Sequence, residues 1–63
     1  MMTKITIYLI SGSEIVRIAP DQEASLLMSR FRESKSIDGP DLYDDGIVLV
    51  DLHHVVAVMT EAP

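Results

Sequence analysis

The chain has 63 residues, 48% of them hydrophobic and 24% charged, with ten acidic side chains against five lysines and arginines, a net charge of −5 and no cysteine. A chain of this size makes one small domain at most, with a core barely sufficient by itself, and the lack of cysteine excludes disulfides and thiolate zinc sites as supports. The acidic balance and the small aromatic complement, two tyrosines and one phenylalanine, argue against direct nucleic-acid binding, which needs clustered cations and stacking platforms.

Residues 3–10, "TKITIYLI", alternate at period two: Ile5, Ile7 and Leu9 on one face, Lys4, Thr6 and Tyr8 on the other. This predicts a half-buried strand rich in β-branched residues. "SGS" at 11–13 supplies a turn glycine, and residues 14–19, "EIVRIA", form a second strand of mixed pattern, so the pair reads as a hairpin. Over 20–33 the period changes to that of a helix, with Ala24, Leu27, Met28 and Phe31 on one stripe. Pro20 suits a helix start. Asp21 and Glu23 lie at the positive end of the helix dipole, and Arg30, Arg32 and Lys35 near its negative end, where they complement the terminus. Leu26 falls off the stripe. Residues 34–45 are a turn-rich loop carrying Gly39-Pro40 and leading into Asp45-Gly46; Ile37, Leu42 and Tyr43 are apolar enough to pin it to the body. Residues 36–38 could add a short strand. Strands at 46–50 and 54–60 are expected to flank a turn at "DLHH", opened by Asp51, and to pair as a second hairpin.

The expected fold is therefore α+β: a small β-β-α-β-β domain whose antiparallel sheet carries one helix on one face. One helix covers only one side. Period two places Val56 and Val58 on one face of the last strand and Val55, Ala57 and Met59 on the other, so both faces are apolar, where a solvated face would carry polar residues. A second copy of the chain is the expected cover for the outer face, through Tyr8, Ile10, Val55, Ala57 and Met59.

Few residues suggest chemistry. Asp51 and His53 share a strand face and could hold a metal with His54, but one short segment supplies three ligands at most and offers no second shell; turn or strand-start histidines are the expected reading. The acidic stretch "DGPDLYDDG" fails as an EF-hand loop, since Tyr43 stands at its third position and Leu52 where the bidentate Glu belongs. "SGSE" is no nucleophile elbow, and no glycine-rich phosphate loop is present. No catalytic residue and no cofactor is expected.

No run approaches the ~20 apolar residues of a membrane span, and residues 5–10 are too short for a signal-peptide core, so a cytoplasmic chain without membrane association is expected. The expected function is a small acidic, non-catalytic, regulatory protein-interaction module. It self-associates through the outer face of its sheet and binds a second, basic protein through Asp41, Asp44 and Asp45. The alternative is an acidic decoy that occludes a basic site, such as a nucleic-acid-binding groove on a target. A third reading is a subunit-interface metal or enzymatic site built on His53 and His54.

Overall fold

The computed structural model describes residues 1–36 and 38–63. Ile37, expected to help pin the loop, lies outside them, as does the centre of the short strand considered at 36–38. The elements run β1 (Met2–Leu9), β2 (Glu14–Pro20), α1 (Asp21–Ser34), β3 (Leu42–Asp44), β4 (Leu49–Asp51), a 3-10 turn (Leu52–His54) and β5 (Val55–Glu61). The fold is a small α+β domain. β1 is the central strand of a three-stranded antiparallel sheet ordered β2-β1-β5, and β3 and β4 form a separate two-stranded hairpin.

Alternation in β1 decides the layering. Ile5 and Ile7 are fully buried on the inner face, where they meet Arg17 and Ile15 of β2 and Thr60 and Val58 of β5. α1 packs on this face: Ala24 and Leu27 are buried and Met28 and Phe31 lie against the same core, the four positions of the helical stripe. Pro20 is the residue that caps the helix start, with φ −56° and ψ 148°, an extended conformation, and it makes no side-chain cap. Leu52, in the 3-10 turn, and the cross-strand pair Tyr43 and Val50 of the β3–β4 hairpin complete the core. Ile5, Ile7, Leu27 and Leu52 are its largest fully buried side chains, and each contributes about 1.5–3 kcal/mol by leaving water.

The C-terminal half departs from the expected plan. Residues 46–50 and 54–60 do not pair with one another. β4 is shorter than expected and pairs with β3, which forms inside the stretch read as loop, while β5 pairs with β1. Asp51 does open a turn at "DLHH", but that turn is a connection between the hairpin and the sheet. The hairpin between β3 and β4 closes on Asp45 and Gly46, the latter at φ +88°, a backbone region glycine adopts without strain. Asp45 accepts the backbone N–H groups of Ile47 and Val48 at 2.9 Å each, a side-chain-to-backbone turn of the kind aspartate favours.

The second departure is a β-bulge. Tyr8 pairs with Ala57 but Leu9 pairs with Val55, so Val56 is the extra residue and the register slips there. One inserted residue reverses the parity of all that precedes it. Val55 therefore points inward together with Val58 and is only 7% exposed, while Val56 is exposed. The assignment of Val55 to the outer face and of Val56 to the inner one is corrected on both counts.

Candidate functional site

Three places gather the residues that the sequence singles out. The first is the 3-10 turn. Asp51 accepts the backbone N–H of His53 at 3.0 Å and, more weakly at 3.4 Å, that of Asp41. The His53 N–H is the main reason its carboxyl titrates below the usual range, and the Asp41 N–H and the two imidazoles act in the same direction. The His53 ring lies with Nε2 2.9 Å from the Ser34 carbonyl oxygen. A carbonyl only accepts, so Nε2 carries a hydrogen and donates it. Ser34 is the last residue of α1 and is buried. His53 thus satisfies a carbonyl that the helix end leaves without an intrahelical donor. His54 is exposed, and its own carbonyl accepts the Ile10 N–H at 2.8 Å, fastening the β1–β2 turn to the start of β5. Among the described residues no group of three His, Cys, Asp or Glu side chains is arranged to hold a metal ion. A hollow of about 340 Å³ beside the turn is lined by Phe31, Ser34, Lys35, Leu52, His53 and Val55. It contains no carboxylate, and its one hydroxyl, Ser34 Oγ, is donated to the Phe31 carbonyl at 2.7 Å.

The second place is the acidic segment. Asp45 accepts Arg17 Nε at 2.7 Å, and Asp41 accepts Arg30 Nη2 at 3.1 Å; the same Arg30 nitrogen also donates to the Leu42 carbonyl at 2.6 Å. The Val48 N–H first, then Arg17 and the Ile47 N–H, hold the Asp45 carboxyl down at about 2. Both carboxylates are largely shielded. They lock the hairpin to β2 and to α1 instead of lying open to a partner. Asp44 is exposed and, among the described residues, accepts only the nearby Gly46 N–H at 2.8 Å. A shallow groove of about 160 Å³ runs between helix and hairpin beside Asp44, with Glu23, Leu26 and Tyr43 in its walls. Burial, then the charges of Asp45 and Glu23, push the Tyr43 phenol up from its ordinary value against the opposing effect of Arg17 and Arg30.

The third place is the outer face of the sheet. Opposed residues share a face, so three rows can be read from the pairing: Ile18, Lys4 and Glu61; Val16, Thr6 and Met59; Glu14, Tyr8 and Ala57. Met2 extends the face at one end. Ile18 and Met59 are 56% and 55% exposed and Val16 nearly as much, whereas Thr6 at the centre is only 8% exposed because larger neighbours surround it. Tyr8, Ala57 and Met59 lie on this surface as expected, Val55 does not, and Ile10 stands in the β1–β2 turn, beyond the three rows. Val16 and Ile18 join this face although the alternation of β5 and β1 alone does not point to them. Their signal is the inverted pattern of "EIVRIA": Arg17, a charge, occupies the inner face, which leaves the two β-branched residues pointing out. Only the distant Asp45 explains that inversion.

Among the described residues no buried side-chain polar atom lacks a hydrogen-bond partner and no helix is long and apolar enough to cross a membrane. Comparison with family models, with curated proteins and with solved structures finds no match.

Proposed function

We propose that this protein is a small acidic, non-catalytic interaction module that associates with itself through the outer face of its sheet and leaves its helix–hairpin side free for a second protein. One observation carries the reading: Val16, Ile18 and Met59 stand half-exposed on the outer face beside Tyr8 and Ala57, interleaved with Lys4, Thr6, Glu14 and Glu61, and no other described segment of the chain covers them. A sheet face turned to water would normally carry polar residues at the positions of Val16, Ile18 and Met59 as well, and exposed apolar side chains grouped on one face mark contact surfaces. A second copy of the chain is the occupant that meets such a surface without requiring any other molecule. Among the described residues the free side offers Glu23, Asp44 and Asp45 against a single cation, Arg30, around the groove beside Leu26, a net acidic lining that suits a basic partner with an apolar anchor. The decoy reading has less support, because the carboxylates of Asp41 and Asp45 are already paired with arginines of the same chain.

Sedimentation velocity across a concentration series tests this. The unmodified chain and a Leu49→Asp variant, altered on the exposed side of the hairpin, are expected to show the same concentration-dependent dimer. Ile18→Asp or Met59→Asp, with circular dichroism confirming the fold, should weaken it by roughly tenfold or more, a loss of about 1.4 kcal/mol or greater. A chain that stays monomeric at every concentration, or a dimer indifferent to Ile18 and Met59, overturns the proposal.

A further inference from the structure

We infer that two copies stack their outer sheet faces antiparallel, around a two-fold axis that passes over Thr6 across the strands, with Lys4 of each copy paired to Glu14 of the other. This rests on the proposal that the outer face self-associates, and it adds the geometry of that contact.

The charges on the face select the arrangement. Lys4 sits one row to one side of Thr6, flanked by Ile18 and Glu61, while Glu14 sits one row to the other side, beside Tyr8. Lys4 lies 3.6 Å from Glu61 across β1 and β5, and both side chains are solvent-exposed. Among the described residues Glu14 has no ion-pair partner. Face-to-face sheets keep their strands within about 30° of parallel or antiparallel alignment, which leaves two ways to lay one copy on the other by a two-fold axis. With the axis along β1, the central strands run parallel and Lys4 meets Lys4, while Glu14 falls on Ala57 and Glu61 falls on Ile18, one strand away from the other copy's Lys4. With the axis across the strands at Thr6, the rows exchange: Lys4 lies over Tyr8, and Glu14 lies over Ile18, one strand away from Lys4. Neighbouring strands are about 4.8 Å apart, a gap that the flexible stems of lysine and glutamate span. Each arrangement offers two ion pairs between copies, Lys4–Glu61 in the first and Lys4–Glu14 in the second; the second also sets each ammonium over an aromatic ring, whereas the first stacks the two ammoniums on each other, which is destabilising.

Shape agrees. Thr6 is the low point of the face, walled by Val16 and Met59. In the antiparallel stack this row meets itself, so Val16 packs on Val16 and Met59 on Met59, with the two threonines at the centre. Three strands about 4.8 Å apart present a footprint of only a few hundred Å², small for a specific interface. The dimer is therefore in exchange with monomer, and the two ion pairs matter to which register is populated.

A charge-reversal cycle tests the geometry, read by sedimentation equilibrium at low salt. Lys4→Glu and Glu14→Lys are each expected to weaken dimerisation roughly tenfold, and the double variant, whose net charge equals that of the original chain, to return within about threefold of it. If Lys4→Glu weakens the dimer while Glu14→Lys is silent, the parallel stack is the true one. If both single variants are silent, the copies join elsewhere, such as edge to edge through β2 or β5. If both weaken it and the double variant does not recover, the two residues do not meet. Each of these outcomes overturns the antiparallel geometry while the unmodified chain still dimerises. A monomeric unmodified chain removes the underlying proposal as well.

Discussion

The Asp45 carboxylate receives two backbone N–H groups on one oxygen and the Arg17 guanidinium on the other, and its pKa of about 2 turns those contacts into a dependence on pH. The folded chain prefers the ionised form, and an unfolded aspartate titrates near 3.9. The resulting stability is fully present above about pH 5 and is lost as pH falls towards 2. Asp51, lowered chiefly by the His53 N–H, adds a loss of the same sign. Urea unfolding between neutral pH and about pH 2 should show a falling midpoint, and Asp45→Asn should be less stable at neutral pH and visibly flatter on acidification; identical profiles would contradict this role for Asp45. The local half of such contacts is legible in sequence. Asp51 bonds an N–H two residues ahead, a reach the turn pattern implies. The ion pairs are not legible, because Arg17 and Asp45 are 28 residues apart and Arg30 and Asp41 are 11 apart, and only the fold brings each pair together.

At the scale of elements, the helix is the part that periodicity describes best. Leu26 and Leu27 are neighbours in sequence, yet Leu27 is fully buried and Leu26 is largely exposed. Leu27→Ala should cost about 2–5 kcal/mol, comparable with the whole stability of a domain this small. Leu26→Ala should stay within about 0.5 kcal/mol. Chemical denaturation of the two variants checks the contrast, and equal losses would mean that the helix is rotated on the sheet. The strands are less transparent. Alternation places Ile5 and Ile7 on the inner face, since β1 is regular through them. It fails in β5, because the bulge at Val56 changes parity and nothing in "HHVVAVM" marks an extra residue. It also fails to show what pairs with what. β4 has two possible neighbours in sequence, and the choice of β3 is set by tertiary contacts: Tyr43 and Val50 both reach the core, and Arg17 and Arg30 hold the hairpin at either side.

The whole molecule is a sheet with one built side. Helix, hairpin and 3-10 turn share the inner face, and the outer face of β2, β1 and β5 leaves Val16, Ile18 and Met59 exposed around Thr6. A face-to-face dimer would bury these two surfaces against one another and turn both helix–hairpin sides outward, giving a bivalent acidic module. The two-sided apolar character of the last strand is what suggests association from sequence alone; the residues that carry it shift, with Val55 withdrawn into the core and Val16 and Ile18 joining from β2. The measurement that bears most directly on self-association through this face is a dilution series by heteronuclear NMR, from about 1 mM to about 20 μM, a range that populates both states of a weak dimer. Concentration-dependent amide shifts should concentrate on Lys4, Thr6, Tyr8, Val16, Ile18, Ala57 and Met59 and spare α1 and the β3–β4 hairpin. Spectra unchanged on dilution, or shifts confined to the helix–hairpin side, would contradict the account.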